Sequence, residues 1–262
     1  MKVRLGTRGS RLALAQAELA AAALRRAGCE TEIVVVRTRG DERTDMPLSE
    51  LGRGAFTDIF REKLAHGELD AAVHSAKDLP TDEGHDGFFC LPRADARDVL
   101  LSLPGREVLR VGTGSPRRAA FAASRFPAAQ VLPVRGNVDT RLKKLRAGEF
   151  DALILAAAGL VRLGAQLSGL TAESLPPALC VPAACQGIIA VEGACGALVN
   201  DEEASRASRV ERALQRALGG GCTGGVGAYF DGALLYAQKN GVIHTRPYAG
   251  EESILRLAEE FV

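Results

Sequence analysis

The sequence lacks the cysteine and histidine spacings of common metal sites. Its six cysteines include no C-x-x-C pair, and its four histidines form no closely spaced H-x-x-x-H pair. Structural zinc sites depend on such spacings, so no metal site is expected. The sequence also has no apolar run long enough to span a membrane and no apolar stretch at its amino terminus. These absences predict free thiols in a reducing cytoplasm and no membrane contact.

The sequence also has little net charge and few lysines. The formal net charge is +1, so no overall field would recruit a nucleic acid. The 47% hydrophobic and 25% charged composition is that of a soluble globular protein. Of the 33 basic residues, 6 are lysine and 27 are arginine, whose planar fork suits carboxylates and phosphates. Codon bias gives the same excess, so only the placement of the arginines distinguishes the two explanations.

Strand and helix patterns alternate in two successive stretches. Strands at 3–7, 33–36 and 70–74 alternate with helices at 11–26 and 56–66. The second stretch has strands at 108–112, 130–134 and 152–155, with helices beginning at 116 and 138. This rhythm predicts an α/β fold of two doubly wound lobes facing each other across a cleft, with ligands at the carboxyl ends of the strands. The chain after residue 200 has an α+β pattern.

The predicted division is into three domains. Domain 1 comprises 1–97 and 180–199, domain 2 comprises 98–179, and domain 3 comprises 200–262. The segment 98–103 is interpreted as the first crossover, and 179–192 as the return crossover. Residues 38–55 are polar and aperiodic, and long loops of that kind are typical of binding lids.

Arginines occur where predicted strands end. In 112–118, the free N–H groups of a helix N-terminus combine with two adjacent guanidiniums, which indicates an anion site. Adjacent guanidiniums repel each other unless an anion neutralises them, so a polyanionic ligand is predicted. The arginines at or just past strand ends are Arg8, Arg117, Arg118, Arg135, Arg141 and Arg162.

Asp78 is the negative charge in this positive setting. It follows a predicted strand and allows two interpretations. It either pairs with an arginine or with Lys77, or it stays ionised to accept hydrogen bonds from a ligand and to exchange a proton.

A glycine-rich loop at 219–225 surrounds Cys222. Glycine lets the backbone approach a bulky group closely, so the loop could bring the thiol to a ligand. The loop matches G-x-G-x-x-G, but it closes a helix, whereas the dinucleotide fingerprint opens one. A flexible linker with a buried structural cysteine is the alternative.

A set of short segments recurs in a characteristic order along the chain. These segments include Thr7-Arg8-Gly9-Ser10, His74-Ser75-Ala76-Lys77-Asp78-Leu79-Pro80, Gly112-Thr113-Gly114-Ser115 with Arg117-Arg118, Arg135-Gly136-Asn137-Val138 with Arg141, Ala158-Gly159-Leu160 with Arg162, Gln186-Gly187 and Gly220-Gly221-Cys222. Together they resemble the porphobilinogen deaminase family, also called hydroxymethylbilane synthase. The match extends in the family's order from Thr7 to Cys222, which makes chance an inadequate explanation.

This resemblance implies two lobes folded like two-lobed periplasmic binding proteins, a small third domain and a dipyrromethane cofactor joined by a thioether to Cys222. It implies that four porphobilinogens are added head to tail, with loss of ammonia, to give 1-hydroxymethylbilane. Asp78 matches the catalytic aspartate. The cofactor binders implied are Cys222, Lys77, Ser115, Arg117, Arg118, Arg141 and Arg162. The substrate binders implied are Arg8, Ser10, Arg135, Arg141 and Arg162.

The resemblance also implies partners. These are porphobilinogen and the growing oligopyrrole, with uroporphyrinogen III synthase as a candidate acceptor of the product from a monomeric enzyme. A two-lobed binder of a small polycarboxylate, without chemistry, is the alternative function, although such a binder does not need the Cys222 loop. A cysteine hydrolase is disfavoured because no histidine lies in a motif that would activate Cys222.

Overall fold

The structure is a computed structural model that describes residues 1–37, 57–81, 87–220 and 225–261. The predicted lid, 38–55, and the predicted cofactor attachment site, Cys222, lie outside these residues. The chain divides into two compact units. The first unit is Met1–Arg93 with Ile188–Arg206, and the second unit is Ala94–Gly187 with Ala207–Val262.

The described residues form strands and helices that we number in chain order. The strands are β1 (Lys2–Thr7), β2 (Glu30–Val35), β3 (Ala71–Ser75), β4 (Phe88–Cys90), β5 (Asp98–Ser102), β6 (Arg110–Gly112), β7 (Gln130–Leu132), β8 (Ala152–Ala156), β9 (Thr171–Leu175), β10 (Ile189–Glu192), β11 (Gly227–Phe230), β12 (Leu234–Lys239) and β13 (Val242–Pro247). The α-helices are α1 (Arg11–Arg26), α2 (Asp58–Ala65), α3 (Pro116–Arg125), α4 (Val138–Arg146), α5 (Ala157–Arg162), α6 (Glu202–Ala217) and α7 (Glu251–Glu259). Ala76–Asp78 and Ala194–Val199 are 3-10 helices.

Each unit contains a five-stranded sheet with the same topology. The first sheet has the order β2-β1-β3-β10-β4, and the second has the order β7-β6-β8-β5-β9. In each, the first three strands are parallel and the fourth is antiparallel to both of its neighbours. Because parallel strands run in one direction, their carboxyl ends lie at one edge, which we call the carboxyl edge.

Helices cover both faces of each sheet. In the first sheet, Ala71 and Val73 pack with α1 residues, whereas the intervening Ala72 packs with Phe60 of α2. Side chains on a strand alternate between faces, so the two helices lie on opposite faces. In the second sheet, Leu153 packs in the cluster containing α4 residues, and Ile154 packs in the cluster containing α3 residues. The predicted doubly wound α/β class is therefore confirmed.

The two sheets also repeat one polar contact at the opposite, amino edge. Arg4 donates from Nη2 to Asp70 Oδ1 at 2.9 Å and from its backbone N–H to Oδ2 at 2.8 Å. Arg110 makes the same two bonds to Asp151, at 3.0 Å and 2.8 Å. Each guanidinium also donates to the carbonyl oxygen three residues before its aspartate. We call the two five-stranded sheets, the helices that cover their faces and these two arginine–aspartate pairs the shared frame.

Most predicted elements lie within a few residues of their observed positions, and the exceptions are near sheet edges. The predicted strand 33–36 is fully apolar, a pattern typical of strands that are buried on both faces. The observed β2 is an edge strand, and its residues are only partly buried or exposed. The edge strands β4 and β9 were not predicted, and the expected crossover at 98–103 is instead β5, which pairs with β8 and β9.

The second unit also holds the three-stranded antiparallel sheet β11-β12-β13. The unit boundaries follow Arg93 and Gly187, whereas the predicted crossings follow residues 97 and 179. The separation of 200–262 as a third domain stays a prediction. Among the described residues, no helix is long and apolar enough to cross a membrane.

Gly193, which follows β10, is a position where a side chain should be poorly tolerated. Its φ is +109°, and an added Cβ would lie 2.4 Å from the backbone oxygen of Asp70. We expect Gly193→Ala to lower the free energy of unfolding by about 2–4 kcal/mol, from backbone strain together with overpacking. Gly232 has a φ of +103° with nothing within 4 Å of an added Cβ, so Gly232→Ala is the control for strain alone. Urea unfolding measures both variants, and equal losses would contradict the steric argument.

Candidate functional site

The carboxyl edge of the first sheet carries four of the predicted site residues. Arg8 follows β1, and Lys77 and Asp78 lie in the 3-10 helix that follows β3. Ser10 is the N-cap of α1, and its hydroxyl accepts the Ala13 N–H at 3.2 Å. A cavity of about 90 Å³ is lined by side chains that include Arg8, Ser10 and Asp78.

The Asp78 carboxylate is exposed at the wall of this cavity. Neither a hydrogen bond nor an ion pair joins it to another residue in the part of the chain that the structure describes. Nearby, Gln16 donates from Nε2 to Ser75 Oγ at 2.8 Å, and this bond ties α1 to the end of β3. The structure therefore gives no support, within the described residues, to the alternative that Asp78 is the partner of an arginine or of Lys77.

The carboxyl edge of the second sheet carries the remaining described residues of the predicted site. Ser115 and the two arginines after it follow β6, Arg135 follows β7, and Arg162 ends the helix that follows β8. Arg141 lies in α4, and its Nε donates to the Gly136 oxygen at 2.8 Å. Ser115 is the N-cap of α3, but its side chain makes no capping hydrogen bond. Its hydroxyl is therefore not committed to the helix.

Arg117 and Arg118 are buried and share one carboxylate, that of Asp98 at the start of β5. Arg117 Nη1 lies 2.7 Å from Asp98 Oδ2, and Arg118 Nη2 lies 2.7 Å from Asp98 Oδ1. Asp98 is completely buried. Burial alone would raise the pKa of Asp98, but the two guanidiniums outweigh it and hold that pKa below its usual range.

Asp98 has further partners in the same cluster. Gln186 donates from Nε2 to Asp98 Oδ1 at 2.8 Å, and the Cys180 thiol lies 3.5 Å from Oδ2. Burial raises the pKa of Cys180 to about 12, so the thiol stays protonated near neutral pH. The predicted repulsion between the adjacent arginines is thus relieved by a carboxylate of this chain, so these two residues do not by themselves require a ligand anion.

Arg141 and Arg162 differ from the Asp98-bound pair. Both are partly buried, and neither has an ion pair with a described residue. Desolvation lowers the pKa of Arg162 to about 10, while desolvation and then the charge of Arg118 lower the pKa of Arg141. Arg162 Nη2 donates to the Gly187 oxygen at 2.6 Å. A guanidinium that has lost water without gaining an anion favours binding of an external anion.

Sequence reasoning identified the arginines at this edge but missed Asp98. The available signal was a single aspartate opening an apolar run, Asp98-Val99-Leu100-Leu101. A charge at a fully buried strand is rare unless it is paired. Within the described residues, no group of histidine, cysteine, aspartate and glutamate side chains could hold a metal ion.

Comparison with known proteins decides the family. Residues 3–201 match the family described as "Porphobilinogen deaminase, dipyromethane cofactor binding domain". The porphobilinogen deaminase of Acidothermus cellulolyticus is 46% identical over 247 residues, which cover 86% of this chain and 74% of that protein. The chain belongs to the porphobilinogen deaminase family. The probable porphobilinogen deaminase of Methanocella arvoryzae is 44% identical over 245 residues, covering 87% of this chain and 79% of that protein.

Membership of the porphobilinogen deaminase family confirms the resemblance on which the sequence interpretation depends. It also confirms the predicted cofactor class, since the matched domain is described as binding dipyrromethane. Among solved structures, a periplasmic binding protein of Salmonella typhimurium is similar with a TM-score of 0.43 and 12% identity, covering 81% of this chain and 93% of that chain. That likeness is distant.

Proposed function

We propose that this chain is the transferase hydroxymethylbilane synthase, which joins four porphobilinogens head to tail, with loss of ammonia, on a dipyrromethane held by Cys222. Family membership supports the reaction. The observation that most supports the site is the pair of partly buried guanidiniums, Arg141 and Arg162, which have no ion pair among the described residues. Each pyrrole unit carries an acetate and a propionate, and guanidinium forks bind carboxylates well.

The residues at the carboxyl edge of the second sheet fit a dipyrromethane. Two desolvated guanidiniums, Arg141 and Arg162, and the uncommitted Ser115 hydroxyl would hold its carboxylates. When bound, the cofactor supplies the primer to which substrate units are added. Arg117 and Arg118 are assigned to the same site, but their bonds to Asp98 give them an internal partner. Lys77 and Cys222 complete the proposed set.

The first sheet would provide the substrate side of the reaction. Arg8 and Ser10 line the cavity at which Asp78 is exposed, and Arg135, from the second sheet, completes the set of proposed substrate binders. The Asp78 carboxylate would accept pyrrole N–H groups and stabilise the positive charge that develops as ammonia leaves. We further propose that the enzyme is a cytoplasmic monomer and that uroporphyrinogen III synthase accepts its product.

Replacing Cys222 tests the proposed attachment. An alcohol is a much poorer nucleophile than a thiolate, so Cys222→Ser should give a folded protein with the mass of the bare chain. The wild-type chain should show an excess equal to one dipyrromethane in the denatured intact mass. Cys195→Ala should keep the excess. A Cys222→Ser protein that retains the excess would move the attachment to another residue, and a wild-type chain with no excess would favour a binder without chemistry.

Lysine replacements test whether Arg141 and Arg162 bind carboxylates through their forks. Arg141→Lys and Arg162→Lys keep the charge and lose bidentate geometry, so each should raise KM for porphobilinogen or lower the fraction of chains carrying the cofactor by about tenfold. Arg146→Lys is the control, since Arg146 lies in the same helix as Arg141 and, within the described residues, donates only to the Gln166 carbonyl. Equal tolerance at all three positions would favour codon bias.

Asp78→Asn tests the proposed catalytic role. The amide keeps the shape but cannot stabilise a positive charge or exchange a proton near neutral pH, so single-turnover consumption of porphobilinogen should fall by about a hundredfold or more. Asp78→Glu should retain part of the activity, because the carboxylate persists in a displaced position. Glu18→Gln makes the same chemical change on an exposed carboxylate of α1 and should leave the rate unchanged. A near wild-type rate for Asp78→Asn would make Asp78 a structural residue.

A further inference from the structure

Asp98 occupies a position that is apolar in the other unit. Asp98 pairs in register with Ala156, the last residue of β8. In the first sheet, Ile189 pairs in the same way with Ser75, the last residue of β3. Since β3 and β8 have the same length and the same place in the two sheets, Asp98 corresponds to Ile189, which is also buried.

The two arginines bound by Asp98 also replace apolar residues of the first unit. Arg117 and Arg118 are the second and third residues after the N-cap serine of α3. Leu12 and Ala13 are the second and third residues after the N-cap serine of α1. The helices α1 and α3 each follow the central strand of three parallel strands. All members of the charged cluster thus have uncharged counterparts.

The first unit therefore forms the shared frame with apolar residues in place of this charged cluster. Burying a carboxylate and two guanidiniums requires their desolvation, and apolar groups of similar volume commonly give equal or greater stability. Stability alone does not explain why an aspartate occupies this position. The residues that Asp98 contacts are instead next to the two arginines that have no ion pair among the described residues.

Two routes connect Asp98 to those arginines. Asp98 Oδ1 accepts from Arg118 Nη2 at 2.7 Å, and Arg118 lies close enough to Arg141 for their charges to interact. Asp98 Oδ1 also accepts from Gln186 Nε2 at 2.8 Å, and the carbonyl of the next residue, Gly187, accepts from Arg162. Arg118 thus connects the carboxylate to Arg141, and the Gln186–Gly187 segment connects it to Arg162.

We propose that Asp98 is a positioning residue for the anion site of the second unit, holding Arg118 beside Arg141 and holding the Gln186–Gly187 segment that orients Arg162. This inference rests on the proposed function for the identity of the natural ligand. Asp98 itself would not contact the ligand, because both of its oxygens are occupied and its side chain has no exposed surface.

The sign of one substitution separates positioning from simple electrostatics. Removing a negative charge next to an anion site should strengthen anion binding by Coulomb's law. If Asp98 positions the arginines, Asp98→Asn should weaken binding instead, because the amide offers one acceptor oxygen where the carboxylate offered two, and one guanidinium loses its partner. A purely structural role would lower stability and leave the affinity of the folded protein unchanged.

Asp151 provides the matched control. It is also a buried aspartate of the second sheet, with an arginine partner at 3.0 Å, but it lies at the amino edge. Asp151→Asn should therefore destabilise the same unit without changing anion affinity. Asp98 and Asp151 thus differ in the edge at which they lie and in the arginines that they hold.

Calorimetric titration with citrate, a small tricarboxylate, tests the inference at constant pH and ionic strength. All variants carry Cys222→Ser, so that the proposed cofactor cannot occupy the site. We expect Asp98→Asn to weaken citrate binding by about tenfold or more and Asp151→Asn to stay within about twofold of the background. Thermal unfolding reports the stability of each variant. Unchanged or tighter binding in Asp98→Asn, or no citrate binding to the background, would overturn the inference.

A charge-balanced pair decides the matter if Asp98→Asn does not fold. Asp98→Asn with Arg117→Leu removes one charge of each sign, and Arg117→Leu alone is its control. The double variant should bind citrate more weakly than the single variant, and equal binding would contradict the proposal. Because citrate binding requires no turnover, its result is separate from the proposed function, which fails if the wild-type chain carries no cofactor mass.

Discussion

The ion cluster of Asp98 with Arg117 and Arg118 is the interaction on which the candidate site of the second unit depends. It joins the first residue of β5 to the first turn of α3, and it also joins β5 to Gln186. Removing one partner of such a buried cluster leaves an uncompensated charge, which typically costs about 3–5 kcal/mol. The cluster is therefore fixed in place once formed. Because the cluster is rigid, Asp98 can hold the neighbouring groups in defined positions without itself contacting a ligand.

The repeated frame separates what the fold needs from what the site adds. Arg4 with Asp70 and Arg110 with Asp151 make matching contacts at the amino edges of the two sheets, where they tie neighbouring strands together. At the carboxyl edges the units differ. The first unit exposes the Asp78 carboxylate, which has no ion pair with a described residue, whereas the second holds a buried ion cluster and two partly buried guanidiniums. Scaffold contacts thus recur in both units, and the chemistry is confined to the edge where the two sequences diverge.

The sequence predicted the wound sheets well because their parallel strands and helices have strong local signals. The helix at 11–26 matches α1 in both bounds, and the helix expected to begin at 138 does so, after the N-cap Asn137. Edge strands were less predictable: β2 ends in an apolar run, but that run is incompletely buried because the strand has a neighbour on one side only. Asp98 escaped prediction for a related reason. Its role depends on partners 19 to 88 residues away in sequence, and no local pattern encodes them.

The electrostatics of the arginines explain why their common placement does not give them a common role. Burial alone would lower the pKa of Arg117, but the Asp98 charge raises it above its ordinary value. Arg162 receives no such compensation, and desolvation lowers its pKa to about 10. An anion bound at Arg162 would raise that pKa, so by linkage anion affinity should be fully present at neutral pH and decline as pH rises through about 10.

Asp98 has the opposite dependence: its pKa is depressed by folding, so its contribution to stability is present above the unfolded pKa and is lost as pH falls through the folded value. Between these limits Asp98 stays ionised and Arg162 stays charged, which is the state that carboxylate binding requires.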